Sequence, residues 1–178
     1  MLSLWCVRRP VSLLLGLVAA GMFCHEFLPW TSARAAENGT LPIPRFASMK
    51  HGEVNLRVGP DKRYPILWVL TRKDMPVEII GEFDIWRKIR DWEGDEGWVV
   101  QQALQGRRSM VVRGAIATMR NDPSTEADPV AHLEPGVIGK LEECQRPPGA
   151  WCKVEVKDIE GWLRRSDFWG VYPDEAYP

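Results

Sequence analysis

Asn55-Leu56-Arg57-Val58-Gly59-Pro60 is matched 63 residues further on by Thr118-Met119-Arg120-Asn121-Asp122-Pro123. Leu70 is matched by Leu133 at the same offset. Trp86-Arg87-Lys88-Ile89 is matched by Trp151-Cys152-Lys153-Val154 at 65, and Glu96-Gly97-Trp98-Val99 by Glu160-Gly161-Trp162-Leu163 at 64. Four blocks in one order, with offsets drifting by one or two, mean a duplication with small loop insertions. A unit of roughly 60 residues buries only about 60% of its unfolded surface and is marginal alone. Support between the units, or a covalent staple, is therefore expected.

Within the first unit, Val54 to Val58, Ile66 to Leu70, Val77 to Ile80, Trp86 to Trp92 and Trp98 to Val100 are short, apolar and β-rich. Gly59-Pro60, Lys73-Asp74-Met75-Pro76, Gly81 and Gly94 punctuate them as turns. No stretch of ten or more residues carries a 3.6-residue period. The expected fold is all-β: two tandem small antiparallel barrels of five strands each, after an N-terminal signal segment. The boundaries follow as 1–35 signal peptide, 36–47 linker, 48–108 first barrel, 112–173 second barrel and 174–178 tail.

Composition narrows the function. The chain has 178 residues, a net charge of −1, nine Trp and three His. That balance lacks the broad basic footprint of a nucleic-acid binder, and no glycine-rich phosphate loop is present. Residues 48–112 carry a net +1 and residues 113–178 a net −4, a difference that speaks to association rather than fold. Arg8 and Arg9, then the uncharged apolar run Val11 to Phe23, then Ala33-Arg34-Ala35, read as an export signal with cleavage between Ala35 and Ala36. An uncleaved N-terminal anchor is the alternative, and it would be the only membrane attachment. The expected location is the periplasm or the exterior.

Cleavage would remove Cys6 and Cys24 and leave Cys144 and Cys152, eight residues apart across a Pro-Pro-Gly loop. Alternation along Trp151 to Lys157 puts Cys152 on one face with Val154 and Val156, and Trp151, Lys153, Glu155 and Lys157 on the other. A hairpin would bring the two thiols together as a disulfide, as suits an exported protein. Closing a loop of about nine residues stabilises by roughly 2.5 kcal/mol on the chain-entropy model. Two Cys and His132 fall short of a four-ligand zinc site, so neither metal nor cofactor is expected.

Other chemistry is poorly supported. Asp91-Trp92-Glu93-Gly94-Asp95-Glu96 fails the calcium-loop pattern, with Glu96 where Gly is required and Gln102 where Glu is required, and reads as an exposed acidic turn. No Ser lies in a nucleophile elbow. Arg107-Arg108 and Arg164-Arg165 read as solvated strand ends.

The order Asn-Leu-Arg-x-Gly-Pro, a Leu before a charged turn, Trp-x-Lys-Ile/Val and Glu-Gly-Trp-Val resembles the bacterial SH3-like (SH3b) module, over about residues 48–172. Asp122 stands where the first unit has Gly59. Phe168-Trp169-Gly170-Val171-Tyr172-Pro173 looks like the closing segment of an exported two-module subfamily. The resemblance implies a non-catalytic module, since better-known members accompany cell-wall enzymes and some bind peptidoglycan. Peptide-binding SH3 domains dock extended ligands in an aromatic groove with a Trp near this strand position, which points to Trp86 and Trp151. Alternation groups Trp86 with Lys88 and Arg90, and Trp151 with Lys153, and Tyr64 and Trp68 beside Pro65 would extend the first surface. The same rings could instead cover an open barrel end or a seam between units, and Trp98 and Trp162 read as structural. The expected function is binding of peptidoglycan, a peptide or a periplasmic protein partner. The alternatives are a structural or assembly protein without small ligand, and a small cell-wall hydrolase.

Overall fold

A computed structural model describes residues 41–178. The expected signal segment, its Ala35–Ala36 junction and the first part of the expected linker lie outside the described residues. The first sheet contains β1 (Arg45–Met49), β2 (Val54–Arg57), β3 (Ile66–Leu70), β4 (Pro76–Phe83), β5 (Trp86–Arg90), β6 (Glu96–Val100) and β7 (Leu104–Gln105). The second contains β8 (Ser109–Val112), β9 (Ala117–Arg120), β10 (Pro129–Leu133), β11 (Ile138–Cys144), β12 (Trp151–Val156), β13 (Ile159–Arg164) and β14 (Phe168–Trp169). Spatial order is β3-β2-β6-β5-β4-β1-β7 in one and β10-β9-β13-β12-β11-β8-β14 in the other, the same path walked twice. All pairings are antiparallel. The fold is two SH3-like barrels in tandem.

The duplication reaches the cores. Met49, Leu56, Ile79, Ile89 and Val99 are buried in the first barrel. Val112, Met119, Leu141, Val154 and Leu163 occupy the corresponding buried positions in the second. The quoted blocks are explained by what their polar and glycine members hold. Arg57 Nη1 donates to the Tyr64 carbonyl at 2.8 Å, and Arg120 Nη1 donates to the Ala127 carbonyl, so the same arginine closes the same loop twice. Lys88 pairs with Glu96 at 2.7 Å, and Lys153 with Glu160 at 2.6 Å, across adjacent strands.

The glycine of each Glu-Gly-Trp block is demanded by packing. A Cβ on Gly97 would sit 2.6 Å from Leu56 Cγ and 2.9 Å from the Arg57 carbonyl oxygen. One on Gly161 would sit 2.6 Å from Met119 Cγ and 2.9 Å from the Arg120 carbonyl oxygen. Backbone oxygens cannot move aside cheaply, so Gly97→Ala should cost about 1–3 kcal/mol, the range for an overpacked core. Urea unfolding measures it. A cost unchanged in a Leu56→Ala background would show that Leu56 is not the obstacle.

Three boundaries differ from expectation. Each sheet has seven strands, not five. Strand β1 begins at Arg45, inside the stretch read as linker, and β8 begins at Ser109, before the residue where the second barrel was expected to start. Residues 174–178 are docked: the Cys144 N–H donates to the Tyr177 carbonyl at 2.8 Å, bridging the C-terminal stretch to β11.

Candidate functional site

Each barrel carries a surface cleft at the same place in the repeat. The first, about 330 Å³, is lined by Asn55 and Arg57 of β2, Trp86 of β5, Val100 of β6, and Gln102 and Ala103 of the following 3-10 turn. The second, about 390 Å³, is lined by Thr118 and Arg120 of β9, Trp151 of β12, Arg164 of β13, and Ser166 and Asp167 of its 3-10 turn. These are position-for-position equivalents under the 63–65 offsets. Trp86 faces Val100 across β5 and β6, and Trp151 faces Arg164 across β12 and β13. The two indoles are 6% and 9% exposed, so each is a floor of its cleft rather than a projecting ring. Of the two readings the sequence left open, an exposed ring on a charged strand face and a covering ring, the burial fits the second. Val54 and Ala103, both buried, line the first cleft beside Trp86, and a strand-alternation rule sees only the strand.

The clefts differ in charge. His51, Glu53, Arg57 and Lys62 give the first a mixed rim. Arg113, Arg120 and Arg164 make the second more basic, with Asp167 as its acidic member. The Arg164 guanidinium lies 5.4 Å from the Trp151 ring centroid, a cation–π contact. Arg113 and Arg164 have no carboxylate within 4 Å among the described residues.

The other predicted contact residues lie elsewhere. Lys88 pairs with Glu96, Arg90 with Glu96 at 2.8 Å and Glu78 at 3.3 Å, and Lys153 with Glu160. The hydrogen bonds from Lys88 and Arg90 hold the Glu96 carboxyl below the usual carboxylate range, and Glu160 is lowered by Lys153. None of the three cations lines a Trp cleft. Tyr64 and Trp68 are exposed on the β2–β3 hairpin and also lie outside the first cleft. Trp98 and Trp162 are half-buried.

A profile of the bacterial SH3 domain matches residues 50–106 and again 113–170, more than half of the chain. The chain belongs to the bacterial SH3 domain family. No curated protein matches it. Among solved structures, NlpC2 from Trichomonas vaginalis is 12% identical, with a TM-score of 0.33, covering 75% of this chain and 50% of that one. NlpC1 from the same organism gives 12%, 0.33, 74% and 48%. An NlpC/P60 family protein from Bacillus cereus gives 14%, 0.31, 70% and 56%. The chain spans about half the length of the solved structures it matches.

The two bacterial SH3 modules are joined by a seam that sequence reasoning missed. Phe46 of β1 packs edge-on against Trp169 of β14, with ring centroids 4.8 Å apart, and against Tyr172 at 4.7 Å. Tyr172 donates its hydroxyl to Glu78 Oε1 at 2.9 Å. Burial, with that carboxylate, pushes the phenol well above its ordinary pKa. Arg108, expected to be solvated, is buried between Phe46 and Tyr177, at 5.3 Å from each ring, and forks onto Glu175. Arg165, also expected at a solvated end, donates to the carbonyls of Gln145, Gly149 and Tyr172. Burial lowers its pKa. The only signal was the aromatic run at Phe168-Trp169 and Tyr172.

Two smaller readings resolve. Cys144 and Cys152 form the disulfide, directly opposite each other on β11 and β12, with Cys152 fully buried beside Val154. The acidic turn is not wholly exposed: Asp91 is buried, and its carboxylate accepts the backbone N–H groups of Glu93 and Asp95 at 3.0 and 2.9 Å. Among the described residues no group of three or more His, Cys, Asp or Glu is placed to hold a metal.

Proposed function

We propose that the protein is an exported, non-catalytic binding module that holds peptide stems of cell-wall peptidoglycan in its two Trp-floored clefts. Bacterial SH3 domains often bind cell-wall material, which gives the general direction. The observation that carries the specific reading is the recurrence of one cleft at one repeat position in both barrels, each floored by a buried indole beneath polar rims. A flat apolar floor with a few hydrogen-bonding groups on its walls suits an extended peptide. The basic second cleft suits a stem carboxylate, which arginine binds in forked geometry.

Co-sedimentation of the protein with purified sacculi tests this. The wild type should pellet. A Trp86→Ala, Trp151→Ala variant should stay largely in the supernatant. Because those rings are buried, a second variant fills the clefts from the rim instead, Gln102→Arg with Ser166→Arg, and should also fail to pellet while keeping its melting temperature. Pelleting equal to wild type by the rim-filled variant overturns the assignment. Muropeptide release from the same sacculi would overturn the non-catalytic part.

A further inference from the structure

Among the described residues strand β3 ends the first sheet, with β2 on one side and no strand on the other. Its residues Ile66, Leu67, Trp68 and Val69 are 46%, 44%, 57% and 47% exposed. Four consecutive large apolar residues, each about half exposed, put bare hydrophobic surface on both faces of an edge whose backbone groups also lack a partner strand. Natural edge strands are usually blunted by charge, proline or bulges. The second barrel shows that blunting at the equivalent strand, β10, which ends its own sheet with Pro129, Val130, Ala131 and His132. There proline removes a backbone donor, and small or polar side chains replace Leu/Trp/Val. Of the two edges the first is the more apolar: β10 exposes Val130 alone among its large apolar residues, β3 four in a row.

We propose that this edge is a docking strip for an extended segment of a partner protein, apolar at its centre and acidic at both ends, which adds to the sheet as a further strand. Charge selects that occupant. Lys62 and Arg63 precede the strand, and Arg72 and Lys73 follow it. Arg63 pairs with Asp61, Arg72 donates to the Gly136 carbonyl and Asp74 is held by Arg107, which leaves Lys62 and Lys73, one at each end, without a carboxylate among the described residues. A second copy of this chain paired antiparallel about Trp68 would set Arg63 against Lys73 but also Lys62 against Asp74 at both ends, which leaves it no net charge complementarity. Carboxylates flanking an apolar strand would meet those cations instead, while main-chain bonds supply the pairing. Apart from Lys62, which also stands on the rim of the first cleft, the strip lies outside the Trp clefts and does not depend on their assignment.

The probe is a synthetic peptide, Glu-Glu-Val-Thr-Val-Thr-Val-Glu-Glu, titrated into the purified protein and followed by tryptophan fluorescence and calorimetry. It should bind, more weakly as salt rises. A version with Lys in place of every Glu should bind at least about tenfold more weakly. Two isomers of the acidic peptide, N-methylated at alternate amides along one edge or the other, should differ, with one losing binding. Trp68→Thr, a β-tolerant change at an exposed site, and Lys73→Glu should each weaken binding at unchanged melting temperature. The Gln102→Arg, Ser166→Arg variant should bind this peptide as wild type does. Absence of binding, equal binding of the Lys peptide, or indifference to N-methylation at either edge overturns the proposal. So does a concentration-dependent dimer in sedimentation velocity that Trp68→Thr abolishes, which would assign the strip to a second copy.

Discussion

Replacing Glu175 with alanine is expected to lower the unfolding free energy by about 2–4 kcal/mol. Arg108 is buried, and its two terminal nitrogens reach the two Glu175 oxygens at 2.6 and 2.9 Å. Nη2 also donates to the Gly170 carbonyl at 2.8 Å, while Nε has no partner. Removing one member of a buried pair strands the other charge at a cost of about 3–5 kcal/mol. The Glu175 side chain is 24% exposed, so water recovers part of that, hence the lower range. Replacing both residues by leucine and methionine should cost less than Glu175→Ala alone, because no charge is then stranded. Urea unfolding near neutral pH decides it; a Glu175→Ala protein as stable as wild type would remove Arg108 from its place as the hub of the seam.

The same pair sets an acid limb. Burial raises the Glu175 pKa, but the bonds from Arg108 and from the Tyr172 N–H outweigh it and leave the carboxyl below its ordinary value. A depressed folded pKa means stability that is full above the unfolded carboxylate value of about 4.3 and lost as pH falls through the folded one. The wild type should therefore lose stability more steeply than Glu175→Ala on acidification below about pH 4.

Reduction of Cys144–Cys152, or a Cys144→Ala, Cys152→Ala variant, should cost about 2.5 kcal/mol from loop entropy alone. The bridge does more than close a loop. Cys144 exchanges backbone hydrogen bonds with Tyr177, and Tyr177 stacks against Arg108, so the disulfide strand anchors the segment that carries Glu175. Losses from reduction and from Glu175→Ala should therefore be less than additive, by about 0.5–3 kcal/mol in a double-mutant cycle. Strict additivity would show that the disulfide and the ion pair act independently.

The repeat was legible because its conserved spacing is scaffold. Leu56 and Met119 fill cores, Arg57 and Arg120 close loops, Gly97 and Gly161 let strands approach, and Lys88 and Lys153 hold their glutamates. Each of these tasks is local, or reaches across one hairpin, so it leaves a pattern in the chain. Strands β1 and β8 left none: Phe46-Ala47-Ser48-Met49 and Ser109-Met110-Val111-Val112 are buried on both faces, which erases the two-residue alternation. The place of Trp86 and Trp151 in the repeat was legible, but their depth was not. Burial of those rings depends on residues from other strands and turns, and alternation within one strand carries no information about them. Arg108 looked solvated for the same reason, since its carboxylate partner lies 67 residues away.

Phe46 belongs to the first barrel, yet the rings that cover it belong to the second, as does the carboxylate that neutralises Arg108 between the two. Two halves joined this way are expected to unfold as one cooperative body rather than as beads on a thread. Damage at the joint is felt at both ends, and neither half can be excised without exposing a greasy, charged wound on the survivor.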